Sequence, residues 1–311
     1  MSKSKRLAGR PEGFAPEVVS GDWPTSSPLL ELPLDENGWR LEVPLRAVDE
    51  LAAGEVGEAT AKLAKRLRSR LHLGLGMAVT TGLPFAEWDL EQSRRAIATL
   101  GGAVGPLMAQ GRNGVTLYDV IDTGVKSRPG IRRSITREEQ GFHTDGPWLT
   151  ETPPLVALHC LSPADEGGES RIVSIQAVLE RLRAQSQAAF ERLGADLPWH
   201  CQNEQASHEA PASMHPLWWD SGAGRGARVY TDYVRTGALA LGFELDPEAQ
   251  DALARLDNLL KPGSPGWRHR LGAGESLWMN NRTCAHARSA FVDGALKRHY
   301  VRTWHKAELS D

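Results

Sequence analysis

His143 and Asp145 stand two apart in Gly141-Phe142-His143-Thr144-Asp145-Gly146-Pro147-Trp148, and a further imidazole, His286, follows far downstream. On a strand, side chains at i and i+2 point to one face. An imidazole arriving from elsewhere would complete a set of two nitrogens and one carboxylate. Those are the donors of the facial triad that holds non-haem Fe(II) and leaves coordination positions open for substrates and O2. The same donors also suit zinc, so the triad alone leaves a zinc hydrolase open.

The residues after His286 narrow the choice. The chain continues Ala287-Arg288-Ser289-Ala290-Phe291 and then Arg298-His299-Tyr300-Val301-Arg302. By period two, Arg298, Tyr300, Arg302 and Trp304 share one face of a terminal strand. An inward-facing arginine is costly unless a carboxylate meets it. Its planar fork matches two carboxylate oxygens and never loses its charge. A metal triad beside a carboxylate clamp is what a 2-oxoacid-dependent oxygenase needs, and the arginine pair favours that over a zinc hydrolase.

In these motifs the chain resembles the taurine dioxygenase-like Fe(II)/2-oxoglutarate oxygenases, the TauD/TfdA group, whose relatives include clavaminate synthase and γ-butyrobetaine hydroxylase. The matching residues run in order. After Phe142-His143-Thr144-Asp145 come Pro153-Pro154-Leu155-Val156-Ala157-Leu158-His159-Cys160 and Gly167-Gly168-Glu169-Ser170. Gly274-Glu275-Ser276-Leu277-Trp278-Met279-Asn280-Asn281-Arg282, His286, Phe291, Arg298 and Arg302 complete the series, so the resemblance spans roughly residues 75 to 305.

The resemblance implies that His143, Asp145 and His286 bind iron. It implies that Ser170 and Arg298 contact 2-oxoglutarate, with Arg298 on its distal carboxylate. Arg302 lies where several members bind an acidic group of the primary substrate. Related halogenases carry a small residue where this chain has Asp145, so hydroxylation or desaturation is expected, with succinate and CO2 as co-products. The ending Val301-Arg302-Thr303-Trp304 departs from the Gly-Cys-Tyr ending of the carnitine-pathway branch.

Arg302 points to a small carboxylic or sulfonic acid as substrate. If Asp232, in Tyr230-Thr231-Asp232-Tyr233, holds a cationic group, the ligand resembles an amino acid. A biosynthetic amino-acid hydroxylase is therefore the first expectation. An alkylsulfonate dioxygenase releasing sulfite is the alternative. A non-catalytic metabolite-binding protein of the same fold is the alternative from another class.

These residues need elements to carry them. Residues 1–38, rich in Pro, Ser and Gly, read as a loosely ordered arm, and 39–311 as one domain. Leu63, Leu67 and Leu71 recur at helical spacing within 56–72. Residues 75–80 read as a strand, and Asp89 caps a helix that Gly101-Gly102 stops. Beyond this, short β-type runs dominate: 115–120, 155–160, 171–174, 227–233, 276–279 and 298–304. Helical patterns interrupt at 175–193 and 247–260, and Gly222–Gly226 reads as a hairpin turn. The expected fold is mainly β with flanking α: a double-stranded β-helix, or jelly roll, with helices packed outside. The polar stretch 122–140, just before His143, is the candidate flap.

The 311 residues, 41% hydrophobic and 24% charged, suit a globular protein, and a net charge of −3 gives no field for nucleic acid or an anionic membrane. No apolar run is long enough to span a bilayer. Cys160, Cys201 and Cys284 form no disulfide framework and fit a reducing cytoplasm, which also suits an iron site that must stay ferrous. The expected partner is a small molecule, and a homo-oligomer is compatible with the sequence.

Overall fold

The computed structural model describes residues 36–126, 131–221, 224–261 and 266–306. Two sheets carry the fold. The larger has seven strands, in the order β1 (Arg40–Glu42), β2 (Met77–Thr81), β14 (Ser276–Asn280), β6 (Leu155–Ser162), β17 (His299–His305) and β3 (Leu107–Met108), with β4 (Leu117–Ile121) also paired to β17. Only β1 and β2 run parallel. The smaller sheet has the order β13 (Trp267–His269), β8 (Ser170–Ser174), β15 (Cys284–Arg288) and β5 (Gln140–His143). Three two-stranded ribbons complete the β structure: β9 (Asp196–His200) with β10 (Ala212–Pro216), β11 (Trp218–Ser221) with β12 (Gly224–Ala227), and β7 (Glu166–Gly167) with β16 (Phe291–Val292).

Alternation along the strands sorts side chains into three cores. Met77, Val79, Val156, Leu277, Met279, Tyr300 and Trp304 of the large sheet share a core with Ile172, Trp267 and Cys284 of the small one. Their alternates, Ala78, Leu155, Ala157, Trp278 and Val301, face the opposite way, into a core with α2 (Leu45–Ala53), α3 (Glu58–His72) and α4 (Leu90–Val104). On the far side, Phe142, Val173, Ala285 and Ala287 meet α5 (Ile175–Gln185), α6 (Gln187–Leu193), α7 (Thr231–Ala240) and α8 (Pro247–Leu259). Helices thus cover the outer face of each sheet, and the faces that meet carry the chemistry.

Local signals explain most elements. In α3, Leu63, Leu67 and Leu71 are buried, as their spacing requires. Asp89 caps α4 by accepting from the Gln92 backbone N–H at 2.7 Å. The glycines do not stop that helix, which runs on to Val104. Gly101 is buried inside it, its carbonyl 3.1 Å from His305 Nδ1, so a tertiary contact holds the helix through them.

The expected helix over 175–193 is two, because Ser186 takes an extended conformation and caps α6 by accepting from Ala189 N–H. The expected strand over 227–233 is also corrected: β12 ends at Ala227 and α7 begins at Thr231. Gly237 lets α7 lie on the β9 backbone, where a Cβ would stand 2.3 Å from the Pro198 carbonyl oxygen. The aromatic and β-branched run reads as a strand, and helix packing overrides it. β11 and β12 pair as a hairpin, but Gly224–Gly226 of the expected turn belong to β12, and the connecting residues 222–223 lie outside the described residues. The expected arm, 1–38, likewise lies outside them except for its end, which enters α1 (Glu36–Trp39).

Candidate active site

His286 on β15 lies directly across from His143 on β5 in the antiparallel ladder, and their ring centroids stand 4.1 Å apart. Asp145 lies just past the end of β5, so the His-x-Asp pair is not a pure strand pair. Another device places it. Asn281, in the turn between β14 and β15, accepts from the Asp145 N–H at 2.8 Å and donates to the carbonyls of Asp145 and Pro153. Thr144 is tied to Val229 through both its backbone N–H and its hydroxyl. The three side chains converge, with one candidate ligand atom from each within 4.8 Å of the others.

Their chemistry fits a metal. Burial lowers the pKa of both imidazoles, that of His286 to about 3, so both are neutral donors. Burial pushes the Asp145 carboxyl up, but Arg302 and the two imidazoles outweigh it and hold it down at about 2. His143 Nδ1 bonds the Gly141 carbonyl at 2.9 Å, which leaves the Nε2 lone pair pointing inward. Gln140 Nε2 donates to that nitrogen at 2.8 Å. Asp145 Oδ1 stands 3.8 Å from Nε2 of each histidine, and its other oxygen accepts from the Trp304 indole N–H at 2.7 Å.

Two cavities meet here. The first is lined by Ser170, Leu158, Leu277, Arg288, Arg298 and Arg302 beside His143 and His286. Arg298 is 2% exposed, and its Nε and Nη1 have no hydrogen-bond partner. Its guanidinium carbon lies 3.7 Å from the Tyr300 ring centroid. Ser170 projects from β8 beside Arg288 in the ladder. The second cavity is lined by Arg132, Asp145, Trp148, Tyr230, Tyr233, Arg302 and Trp304. Ser134, Gln140, His143 and Arg302 belong to both.

The structure therefore brings together His143, Asp145, His286, Ser170, Arg298 and Arg302. Arg302 is already engaged: Nη1 donates to Asp145 Oδ1 at 3.3 Å and Nε to Gln110 Oε1 at 2.8 Å. Asp232 is not brought in. It opens α7 with a side chain 64% exposed, 3.6 Å from Arg235, while Tyr230 and Tyr233 on either side line the cavity. Sequence reasoning assigned no role to Gln140, Asn281, Arg288, Trp304 or Arg132. Arg288 and Trp304 carried a usable signal, since each lies two residues from a named site residue on the same strand face. Arg132 carried none: it sits in the candidate flap, of which residues 127–130 lie outside the described residues.

Residues 44–304 match the family described as "Taurine catabolism dioxygenase TauD, TfdA family", and the chain belongs to it. It is an Fe(II)- and 2-oxoglutarate-dependent dioxygenase. It is similar to FR-33289 synthase of Streptomyces rubellomurinus, 23% identical over 81% of this chain and 75% of the relative. It is also similar to the uridine-5′-phosphate dioxygenase of a Streptomyces species, 29% identical over 62% of this chain and 70% of that one. Among solved structures, an asparagine oxygenase holding Fe(II), 3-hydroxyasparagine and succinate superposes with a TM-score of 0.67, at 19% identity, over 86% of this chain and 93% of its own. No helix among the described residues is long and apolar enough to cross a membrane.

Proposed function

We propose that the protein hydroxylates or desaturates a small acidic substrate, an amino acid or a derivative of one, in a biosynthetic pathway of the cytoplasm. The core is read as a double-stranded β-helix, in one domain over residues 39–311. His143, Asp145 and His286 hold the Fe(II). Bound there, iron supplies O2 activation and oxidation of an unactivated C–H bond, coupled to conversion of 2-oxoglutarate to succinate and CO2.

The chain's own residues divide the remaining work. Arg298 and Ser170 hold the distal carboxylate of 2-oxoglutarate in the first cavity. Asp145 keeps its charge because Arg302 and Trp304 bind its carboxylate. The second cavity takes the substrate. Apart from Asp145 its lining holds no carboxylate, whereas Arg132 and Arg302 both enter it. Both can share an acidic group of the substrate with their partners Glu204 and Asp145, and Trp148, Tyr230 and Tyr233 give its body an aromatic wall. The names of the similar proteins point the same way: uridine-5′-phosphate and 3-hydroxyasparagine are small molecules with acidic groups.

The observation that carries this reading is the buried Arg298, two of whose guanidinium nitrogens have no hydrogen-bond partner, beside a buried His-Asp-His cluster. The test is a screen for substrate-stimulated succinate across amino acids, their derivatives and alkylsulfonates, with sulfite measured alongside. An amino acid or derivative is expected to stimulate succinate without sulfite. Sulfite release would move the assignment to an alkylsulfonate dioxygenase. Iron-loaded protein that forms succinate with none of them would overturn the amino-acid reading.

A further inference from the structure

Arg288 lies two residues beyond His286 on β15 and faces the same cavity. In the ladder its neighbours are Ser170 on β8 and Gln140 on β5, and both also line that cavity. It is 7% exposed. Its guanidinium carbon stands 4.9 Å from the Phe291 ring centroid, and that of Arg298 stands 5.0 Å from the same ring. One phenyl ring thus carries two buried cations. Arg288 Nη2 donates to the Thr136 and Glu138 carbonyls, while its Nε is buried without a partner. The carboxylate of Asp122 acts on Arg288 and that of Asp293 on Arg298, but among the described residues neither makes a direct ion pair with the guanidinium it acts on. Attraction to a phenyl face is weaker than the hydration that two buried guanidiniums give up. Two such cations, each with buried nitrogens left unpartnered, suit the cavity between them to an anion.

We propose that Arg288 is a second carboxylate-binding cation of the 2-oxoacid cavity. It acts with Arg298 on the distal carboxylate and makes the site demand a dicarboxylate over a 2-oxoacid with a plain alkyl tail. The proposal rests on the reading that this cavity takes 2-oxoglutarate. Arg288 also ties the segment before β5 to β15, so its charge and its clamping must be told apart.

The test is anaerobic titration calorimetry on Mn(II)-loaded full-length protein, with 2-oxoglutarate and with 2-oxopentanoate, which matches its length and lacks the distal carboxylate. Wild type should prefer 2-oxoglutarate strongly. R288Q should cut that preference about tenfold or more, as expected for loss of a charge-assisted contact. R288K keeps the charge but not the fork on the two carbonyls, and it should retain most of the preference. Equal weakening of both acids in R288Q would make Arg288 a clamp only and overturn the proposal. An unchanged preference in R288Q, with R298Q losing it, would also overturn the proposal while leaving the cavity assignment intact. No preference in the wild type would instead overturn the cavity assignment itself. If R288Q does not fold, R288K decides: loss of the preference for 2-oxoglutarate with Mn(II) still bound would overturn the charge role.

Discussion

On the side of His143 proposed to take 2-oxoglutarate the wall is sheet. Ser170 comes from β8, Arg288 from β15 and Arg298 from the entry to β17. On the side proposed to take the substrate most of the wall comes from outside the two sheets. Arg132 precedes a single 3-10 turn over Arg133–Ile135, Pro147 and Trp148 follow the metal cluster, and Tyr230 and Tyr233 stand at the start of α7. The cations differ in the same sense. Arg298 keeps two buried nitrogens unpartnered. Arg302 and Arg132 already have acidic partners, Asp145 and Glu204. A co-substrate that never changes can be met by side chains fixed in a sheet, with an anion required to complete them. A substrate that differs between relatives is met by loops, whose cations must exchange one partner for another.

The largest effect should come where the two sides meet. Asp145→Ala removes the only carboxylate of the cluster and should lower substrate-dependent succinate formation by more than about 100-fold, the upper end for outer-shell partners of a metal. Wild-type turnover in that variant would undo the ligand assignment. Arg298→Ala tests one side alone. It should raise the 2-oxoglutarate requirement roughly 10- to 100-fold, as expected for a lost charge-assisted pair, while bound iron measured by absorption spectroscopy stays near wild type. A larger change in the substrate KM than in the 2-oxoglutarate KM would place the clamp in the wrong cavity.

Much of this contrast was legible in the sequence, because residue type and order carry it. His143, Asp145, His286, Arg298 and Arg302 announce themselves by donor chemistry, and parity along one strand sends Arg298 and Arg302 to one face. What residue order does not state is who holds whom. Asn281 anchors Asp145 through a backbone pairing that exists only after the β14–β15 turn meets the end of β5. The opposition of His143 and His286 is likewise a matter of register between distant strands. Asp232 stands apart from the cluster for a local reason. The segment around it was read as a strand, whereas in α7 it faces solvent and its tyrosine neighbours turn to the cavity. Glu204, the partner of Arg132, carried no periodic signal at all.

A smaller effect separates holding a metal from holding a substrate. Trp304 is 2% exposed, and its indole N–H is the partner of the Asp145 oxygen that does not face the histidines. Trp304→Phe keeps the ring in the core between the sheets and removes that N–H. Metal affinity, read by Mn(II) titration, should fall about tenfold, the lower end for an outer-shell partner because Arg302 remains. Affinity equal to wild type would mean that Arg302 alone orients the carboxylate.

The smallest expected effect bears most directly on the contrast between the two walls. The Arg132 guanidinium carbon lies 5.2 Å from the Tyr118 ring centroid, and that of Arg302 lies 4.9 Å from the same ring on the substrate side. Arg132 is also paired with Glu204, each side chain 15% exposed. Part of its charge is therefore already answered, so a substrate anion gains only the difference between partners. Arg132→Gln should raise the KM for an acidic substrate by about three- to tenfold and leave the 2-oxoglutarate KM and kcat near wild type. Glu204→Gln removes the competing carboxylate and should shift the substrate KM the other way. If both variants moved the 2-oxoglutarate KM as far as the substrate KM, the two cavities would act as one. The division between a fixed wall and an exchangeable wall would then be lost.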